Sequence, residues 1–285
     1  MNRGISRFGL AALALGYAFL YAPILSMVAY SFNDNRLASV WGHFSFQAYG
    51  QLLADSQLRS AALLSLEIGL LTGLAATVLG TLAGFCLARF RGLPTLTVFA
   101  GLVSAPMVMP EVIVGFSLLL LFLFVLRLDL GVTAIWTGHT TVAMAYVTTL
   151  VRSRLLEMDK SLEEAALDLG ARPVGVFFTI TLPIIAPTLV AGFLLAFTLS
   201  WDDVVITSLL AGAGVNTLPT LVFSSVKFGL SPKINALATL IVVVVTTGVL
   251  VANRVMLRQR KPVQPQEEPV RPPPAWTDAP ATAAD

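Results

Sequence analysis

An all-α integral membrane protein with six transmembrane helices and both termini in the cytoplasm is the fold that the sequence predicts, and three observations predict it. Hydrophobic residues make up 56% of the chain and charged ones only 12%, lifting mean hydropathy to +0.82, well outside the composition of a water-soluble domain. The apolar residues are grouped in runs as long as a bilayer needs, about 20 residues each, separated by Gly, Pro and polar punctuation. The basic residues are distributed unevenly: of 18 Lys and Arg, six spans with the N-terminus inside leave only Arg36, Arg59, Arg127, Lys227 and Lys233 outside, the asymmetry expected of cytoplasmic loops.

The spans cover about 8–32, 61–88, 97–126, 132–151, 184–210 and 233–254. Arg3 and Arg7 ahead of the first run give it the charge order of a signal peptide, but its apolar part is too long for a cleaved one. It is read as a retained helix, with cleavage after Ala14 the alternative. The first outer loop, 33–60, mixes Asn33, Asp34, Asn35 and Arg36 with Trp41, Phe44, Phe46 and Tyr49, aromatics that anchor at an interface or face an extracytoplasmic partner. In the second span Gly69, Gly73, Gly80 and Gly84 let a neighbouring backbone approach, marking a helix–helix contact. Pro106 and Pro110 interrupt the third span, and Glu111 follows at once. Each proline removes a donor and crowds the preceding turn, so a break lined by protein or water is expected there. Ser231-Pro232 reads as the start of the last span. Residues 1–261 thus form one six-span membrane unit, and 262–285, with seven prolines, read as a disordered tail.

Several chemistries are excluded. No Gly-x-x-x-x-Gly-Lys-[Ser/Thr] loop, His-Glu-x-x-His pair or Cys-x-x-Cys pair occurs, so no catalytic or metal-binding residue is assigned and no cofactor is expected on this chain. Cys86 stands alone in an apolar run, and His43 and His139 are read as interfacial polar residues. Nothing points to nucleic acid. Four carboxylates remain within or beside the spans: Glu67, Glu111, Asp202 and Asp203. An ionised acid at the bilayer centre costs about 2.5–3.5 kcal/mol on insertion scales, so it faces a cavity or an opposite charge. Ser200-Trp201-Asp202-Asp203 is the most informative group. Two adjacent acids on a helix diverge by about 100°, and no basic residue shares their span. They form either a cation-attracting patch on a conduction path or ion pairs with Lys227, Lys233 or a neighbouring subunit.

One stretch is polar where its surroundings are not. Between Arg152 and Pro183 the chain carries Arg154, Glu157, Asp159, Lys160, Glu163, Glu164, Asp168 and Arg172, which places it outside the lipid. Ser161-Leu162-Glu163-Glu164 reads as a capping box opening a helix, and Gly170 as the left-handed residue that ends it. Ala171 to Phe178 reads as a second short helix, and Leu182-Pro183 as the re-entry into the membrane. Small Ala165 and Ala166 leave room for a facing surface.

Glu164-Ala165-Ala166, Gly170 and Ile180-x-Leu182-Pro183 resemble the "EAA" loop of the membrane subunits of bacterial ABC importers. The resemblance implies a type I importer permease fold and a bacterial inner-membrane location. It also implies that the loop at about 152–183 docks on a cytoplasmic ATPase. Further stretches are similar to the putrescine/spermidine branch, its second permease subunit in particular. These are Leu20-Tyr21-Ala22-Pro23, Tyr30-Ser31-Phe32-Asn33, Pro106-x-x-x-Pro110-Glu111, Ser200-Trp201-Asp202-Asp203, Thr217-Leu218-Pro219 and Ile234 to Leu240. That branch has Leu before the paired acids and Asp after the second proline; here Trp201 and Glu111 stand instead. The partners implied are a sister permease, two ATP-binding subunits carrying ATP and Mg, and a periplasmic polyamine-binding protein. A path for polyamines would offer Asp202, Asp203 and Glu111 to ammonium groups, with Trp201 adding a cation–π contact and Ser200 beside them. The alternatives are an importer of another solute (an opine, or an iron or anion complex), a secondary transporter, or a membrane scaffold. An anion importer would not line its path with unneutralised acids, and a scaffold leaves the coupling stretch unused.

Overall fold

The computed structural model describes residues 7–35, 40–90, 94–227 and 231–259, and the tail at 262–285 lies outside them. Among the described residues the regular structure is helical, apart from one isolated antiparallel bridge between Asn33 and Phe44. The helices run in chain order: α1 (Arg7–Tyr30), α2 (Gln47–Ala54), α3 (Ser56–Arg89), α4 (Pro94–Val108), α5 (Glu111–Leu120), α6 (Val132–Glu157), α7 (Ser161–Asp168), α8 (Pro173–Val176), α9 (Leu182–Trp201), α10 (Val205–Leu210), α11 (Leu218–Lys227) and α12 (Pro232–Gln259). The chain divides into two units, Met1–Thr239 and Leu240–Asp285. The first holds every site discussed below. In the second, residues 240–259 are helical.

Among the described residues, three helices are long and apolar enough to cross a membrane: Phe8–Tyr30, Ser56–Arg89 and Pro173–Trp201. A fourth crossing is available if the pair Thr95–Val108 and Glu111–Leu126, bent by 112°, forms one span. The bend falls at Met109-Pro110, where the sequence predicts it. Pro106 stays inside α4, while Pro110 takes extended ψ (135°) and starts α5. Large apolar side chains remain exposed along these helices, including Phe8 (85%), Phe19 and Leu74. In water such a surface would aggregate; in hydrocarbon it is the natural outer face.

The core of the first unit is the packing of α3, α6 and α9. Ala76, Ala88, Ala143, Val147, Val151, Leu155, Ile185 and Ala196 form one buried cluster, and Ile68, Phe122, Ala134, Ile135, Ile206 and Leu210 a second. The glycines of α3 set its distances from the two neighbours. A Cβ at Gly80 would stand 2.7 Å from the Val147 Cβ, and one at Gly84 3.0 Å from the Thr148 carbonyl oxygen, both on α6. Gly69 and Gly73 meet Phe197 and Phe193 of α9 in the same way. Only a missing side chain allows this approach.

Two expectations are corrected. The run 184–210 is not one helix: α9 ends at Trp201, residues 202–204 break it, and α10 starts at Val205. Nor is the segment after Gly170 a separate short helix. Pro173–Trp201 runs as 29 helical residues, with a π-turn at Phe177–Thr181 widening it just before Pro183. The wider turn accommodates a proline that would crowd a regular α-turn.

Candidate functional site: a helix break with carboxylates and a polar hairpin outside the spans

At the break after α9, backbone groups lose their helical partners and side chains replace them. Asp203 Oδ1 accepts from the Thr207 backbone N–H at 2.8 Å and from the Thr207 hydroxyl at 3.1 Å. Its second oxygen lies 3.4 Å from the Ile206 N–H. The carboxylate therefore caps α10, where an anion is favoured. The same Oδ1 is 3.1 Å from His139 Nε2, and both side chains are almost fully buried. Because a carboxylate of this kind only accepts, Nε2 carries the proton between them. His139 Nδ1 is 2.7 Å from the Ser200 hydroxyl, which is 3.4 Å from Thr72 Oγ1. One polar chain thus joins α3, α6, α9 and α10.

This changes the reading of the acids. Asp203 has a basic neighbour, supplied by α6, and His139 is a buried bridging residue instead of an interfacial one. The expected lysines are engaged elsewhere: Lys233 Nζ is 2.6 Å from Asp55 Oδ2, and Lys227 lies over the Phe223 ring at 4.6 Å. The hydrogen bond from Lys233, reinforced by the Leu58 N–H, holds the Asp55 carboxyl below its usual range. Because the acids sit at a break, their directions are set by capping geometry and not by the 100° step of a helix. Asp202 closes α9 and is exposed, while Asp203 turns inward.

Glu111, at the other helix break, lines a small cavity of about 20 Å³ together with His139, Tyr146, Leu199, Asp203 and Ile206. The fold brings Glu111 and Asp203 to one cavity and places Ser200 behind them through His139. Asp202 is not among its lining residues. Trp201 stacks on Phe197 with centroids 5.7 Å apart. Glu67 is exposed on α3, away from this cavity.

The polar stretch folds as a helical hairpin. Gly170 has φ +85°; its N–H donates to the Leu167 carbonyl and the Ala171 N–H to the Ala166 carbonyl, at 2.9 and 3.0 Å. Those two bonds define a Schellman ending, so the predicted left-handed turn is present. The predicted capping box is not. Asp159, two residues earlier, accepts from the Ser161 N–H at 3.0 Å, and that bond holds its carboxyl below the ordinary value. The Glu163 side chain points instead to Arg89 at the end of α3 and to Thr181. No residue of α7 is buried. Glu164, Ala165 and Asp168 are exposed, as are the apolar Leu162, Leu167 and Leu169, the last by 89%.

Residues 76–261 match the family model described as binding-protein-dependent transport system inner membrane component. The chain is 49% identical over 261 residues to the putrescine transport system permease protein PotI of Escherichia coli K12, covering 90% of this chain and 93% of that one. It is 37% identical over 257 residues to the spermidine/putrescine transport system permease protein PotC of Haemophilus influenzae, covering 90% and 99%. Among solved structures it resembles a chain of a bacterial ABC transporter involved in import of the acidic polysaccharide alginate. That match has a TM-score of 0.65 at 17% identity and covers 92% of this chain and 99% of the other. It also resembles a chain of the MetNI methionine ABC transporter, with a TM-score of 0.58 at 19% identity, covering 70% and 94%. At such identities these structures speak to the fold alone.

Proposed function

Because the chain belongs to the family of binding-protein-dependent transport system inner membrane components, we propose that it forms, with a sister permease, the path by which an ATP-driven importer moves polyamines such as putrescine and spermidine across the bacterial inner membrane. It is a transport subunit, not an enzyme. Relatives on two sides of the branch carry putrescine in their names.

The observation that carries the substrate class is the meeting of two helix breaks at one cavity, with the carboxylates of Glu111 and Asp203 in its wall. Broken helices put unpaired backbone and charge at membrane depth only where they face protein or a wet pathway. About 20 Å³ has room for roughly one water-sized group, so an ammonium head fits and a whole polyamine does not. Passage of a whole polyamine past these two carboxylates therefore requires the cavity to widen. In this reading Glu111, Asp203 and the exposed Asp202 hand the cation along, Trp201 offers its ring face, and Ser200 holds His139 in place. Weak sequential sites favour passage over trapping.

The same reading assigns six spans with both termini inside, residues 1–261 to the permease domain and 262–285 to a cytoplasmic tail. Of two ATPase subunits, carrying ATP and Mg, one docks on the hairpin at 164–183. Support for docking is the apolar exposure of Leu162, Leu167 and Leu169 on a short helix too polar for lipid, with Glu164, Ala165, Ala166, Gly170, Ile180, Leu182 and Pro183 shaping the hairpin and its return. A periplasmic binding protein delivers the solute. The test is uptake by the reconstituted importer with putrescine, spermidine and an opine in competition. Displacement of labelled putrescine by spermidine but not by the opine is expected; preferential displacement by the opine would reassign the solute.

A further inference from the structure

Among the described residues, Glu163 supplies the side-chain hydrogen bonds and the ion pair that join α7 to the spans. Its Oε1 accepts from Arg89 Nη2 at 2.9 Å and its Oε2 lies 2.9 Å from Arg89 Nε. One charge-assisted hydrogen bond, from Nη2, and a close ionic contact at Nε hold the guanidinium against the carboxylate. Both side chains are largely withdrawn from solvent, at 12% and 14% exposure. Two further bonds extend the cluster. Thr181, itself 1% exposed, donates its hydroxyl to Glu163 Oε1 at 2.6 Å, and Arg89 Nη1 donates to the Leu155 carbonyl at 3.1 Å. Arg89 ends α3, Leu155 lies in the last turn of α6, and Thr181 leads into α9. One carboxylate and one guanidinium therefore tie the hairpin to the same ends of all three core helices.

We propose that the Glu163–Arg89 pair is the positioning clamp through which displacement of α7 is passed to α3, α6 and α9. An apolar contact slides under load; a hydrogen-bonded ion pair at low exposure, anchored on one side by the Thr181 hydroxyl and on the other by the Leu155 carbonyl, resists displacement. With no residue of α7 buried, packing alone gives the helix little grip on the bundle. Glu163 is not a residue of the docking surface: its side chain faces the spans, while Glu164, Ala165 and Leu167 face outward. The clamp rests on the reading of an ATPase-driven importer.

The experiment measures putrescine imported per ATP hydrolysed by the complete importer in proteoliposomes, normalised to assembled complex. Wild type, Glu163→Gln, Thr181→Val and the exchange Arg89→Glu with Glu163→Arg are compared. Coupling free energies of this class correspond to about 5–150-fold. We expect the ratio to fall about tenfold in Glu163→Gln, less in Thr181→Val, and to return to within about threefold of wild type in the exchange. An unchanged ratio in Glu163→Gln would overturn the clamp. So would a Glu163→Gln defect confined to complex yield while Thr181→Val couples normally. A wild-type complex whose uptake ignores ATP would defeat the importer reading itself.

Discussion

At the residue scale the pair His139–Asp203 decides how the acids behave. Asp203 is held by an imidazole, two N–H groups and a hydroxyl, so it serves the fold as well as the path. Asp202, one residue earlier, has the exposure to meet a solute. A hydrogen bond to a charged acceptor contributes about 1.5–3 kcal/mol. His139→Ala, which removes the imidazole donor from the Asp203 carboxylate, should therefore lower stability by about that much, and Asp203→Asn by about 1–2 kcal/mol, since an amide oxygen still accepts from α10. The double variant should lose less than the sum. Thermal unfolding of the purified complex in detergent checks all three. None of this was legible in the chain: His139 is 64 residues from Asp203, and a lone histidine in a threonine-rich run carries no local mark of its partner. The acids themselves were legible, because a carboxylate in an apolar run is conspicuous wherever it ends up.

At the element scale, sequence signals worked where a backbone restriction is local. Pro110 marks the bend between α4 and α5, and Gly170 the left-handed end of α7. The break at 202–204 escaped notice because Val204, Val205 and Ile206 carry on an apolar run without proline or glycine, and what marks the break is the capping of α10 by Asp203, itself held by His139 of another helix. The capping box failed for a related reason. Ser161 and Glu164 have the right spacing, but the helix starts one residue early, with Lys160 at the cap position, and Asp159 takes the Ser161 N–H that Glu164 would have reached. Gly170 at φ +85° gives the sharpest test of the hairpin. A β-branched residue in that region costs about 1–3 kcal/mol, enough to re-aim α7 without unfolding the spans. Gly170→Val should leave the complex in the membrane with basal ATP hydrolysis, while lowering uptake per ATP about tenfold. Normal uptake per ATP in that variant would remove the hairpin from the coupling route.

At the scale of the whole molecule, a close-packed bundle of α3, α6 and α9 carries a helix break with carboxylates along its length and a polar hairpin fastened at one end. Composition and basic-residue placement predicted the membrane class, and the glycines of α3 predicted where helices meet. What joins the two sites is the tertiary placement of α6, which lends His139 to one and the Leu155 carbonyl to the other. Its polar residues keep α6 outside the helices apolar enough to cross alone; His139, Thr140 and Thr148 are buried in the bundle, while Arg152 and Arg154 lie exposed near its end. The central claim is that ATP hydrolysis elsewhere drives a cation past these carboxylates. Its most direct test is labelled putrescine uptake by proteoliposomes of the complete importer, comparing wild type with Glu111→Gln combined with Asp202→Asn. The account predicts ATP-dependent uptake that resists collapse of ion gradients, and a fall of about tenfold or more in the double variant with basal ATP hydrolysis within about twofold. Uptake that follows an ion gradient without ATP, or a double variant transporting at the wild-type rate, would contradict it.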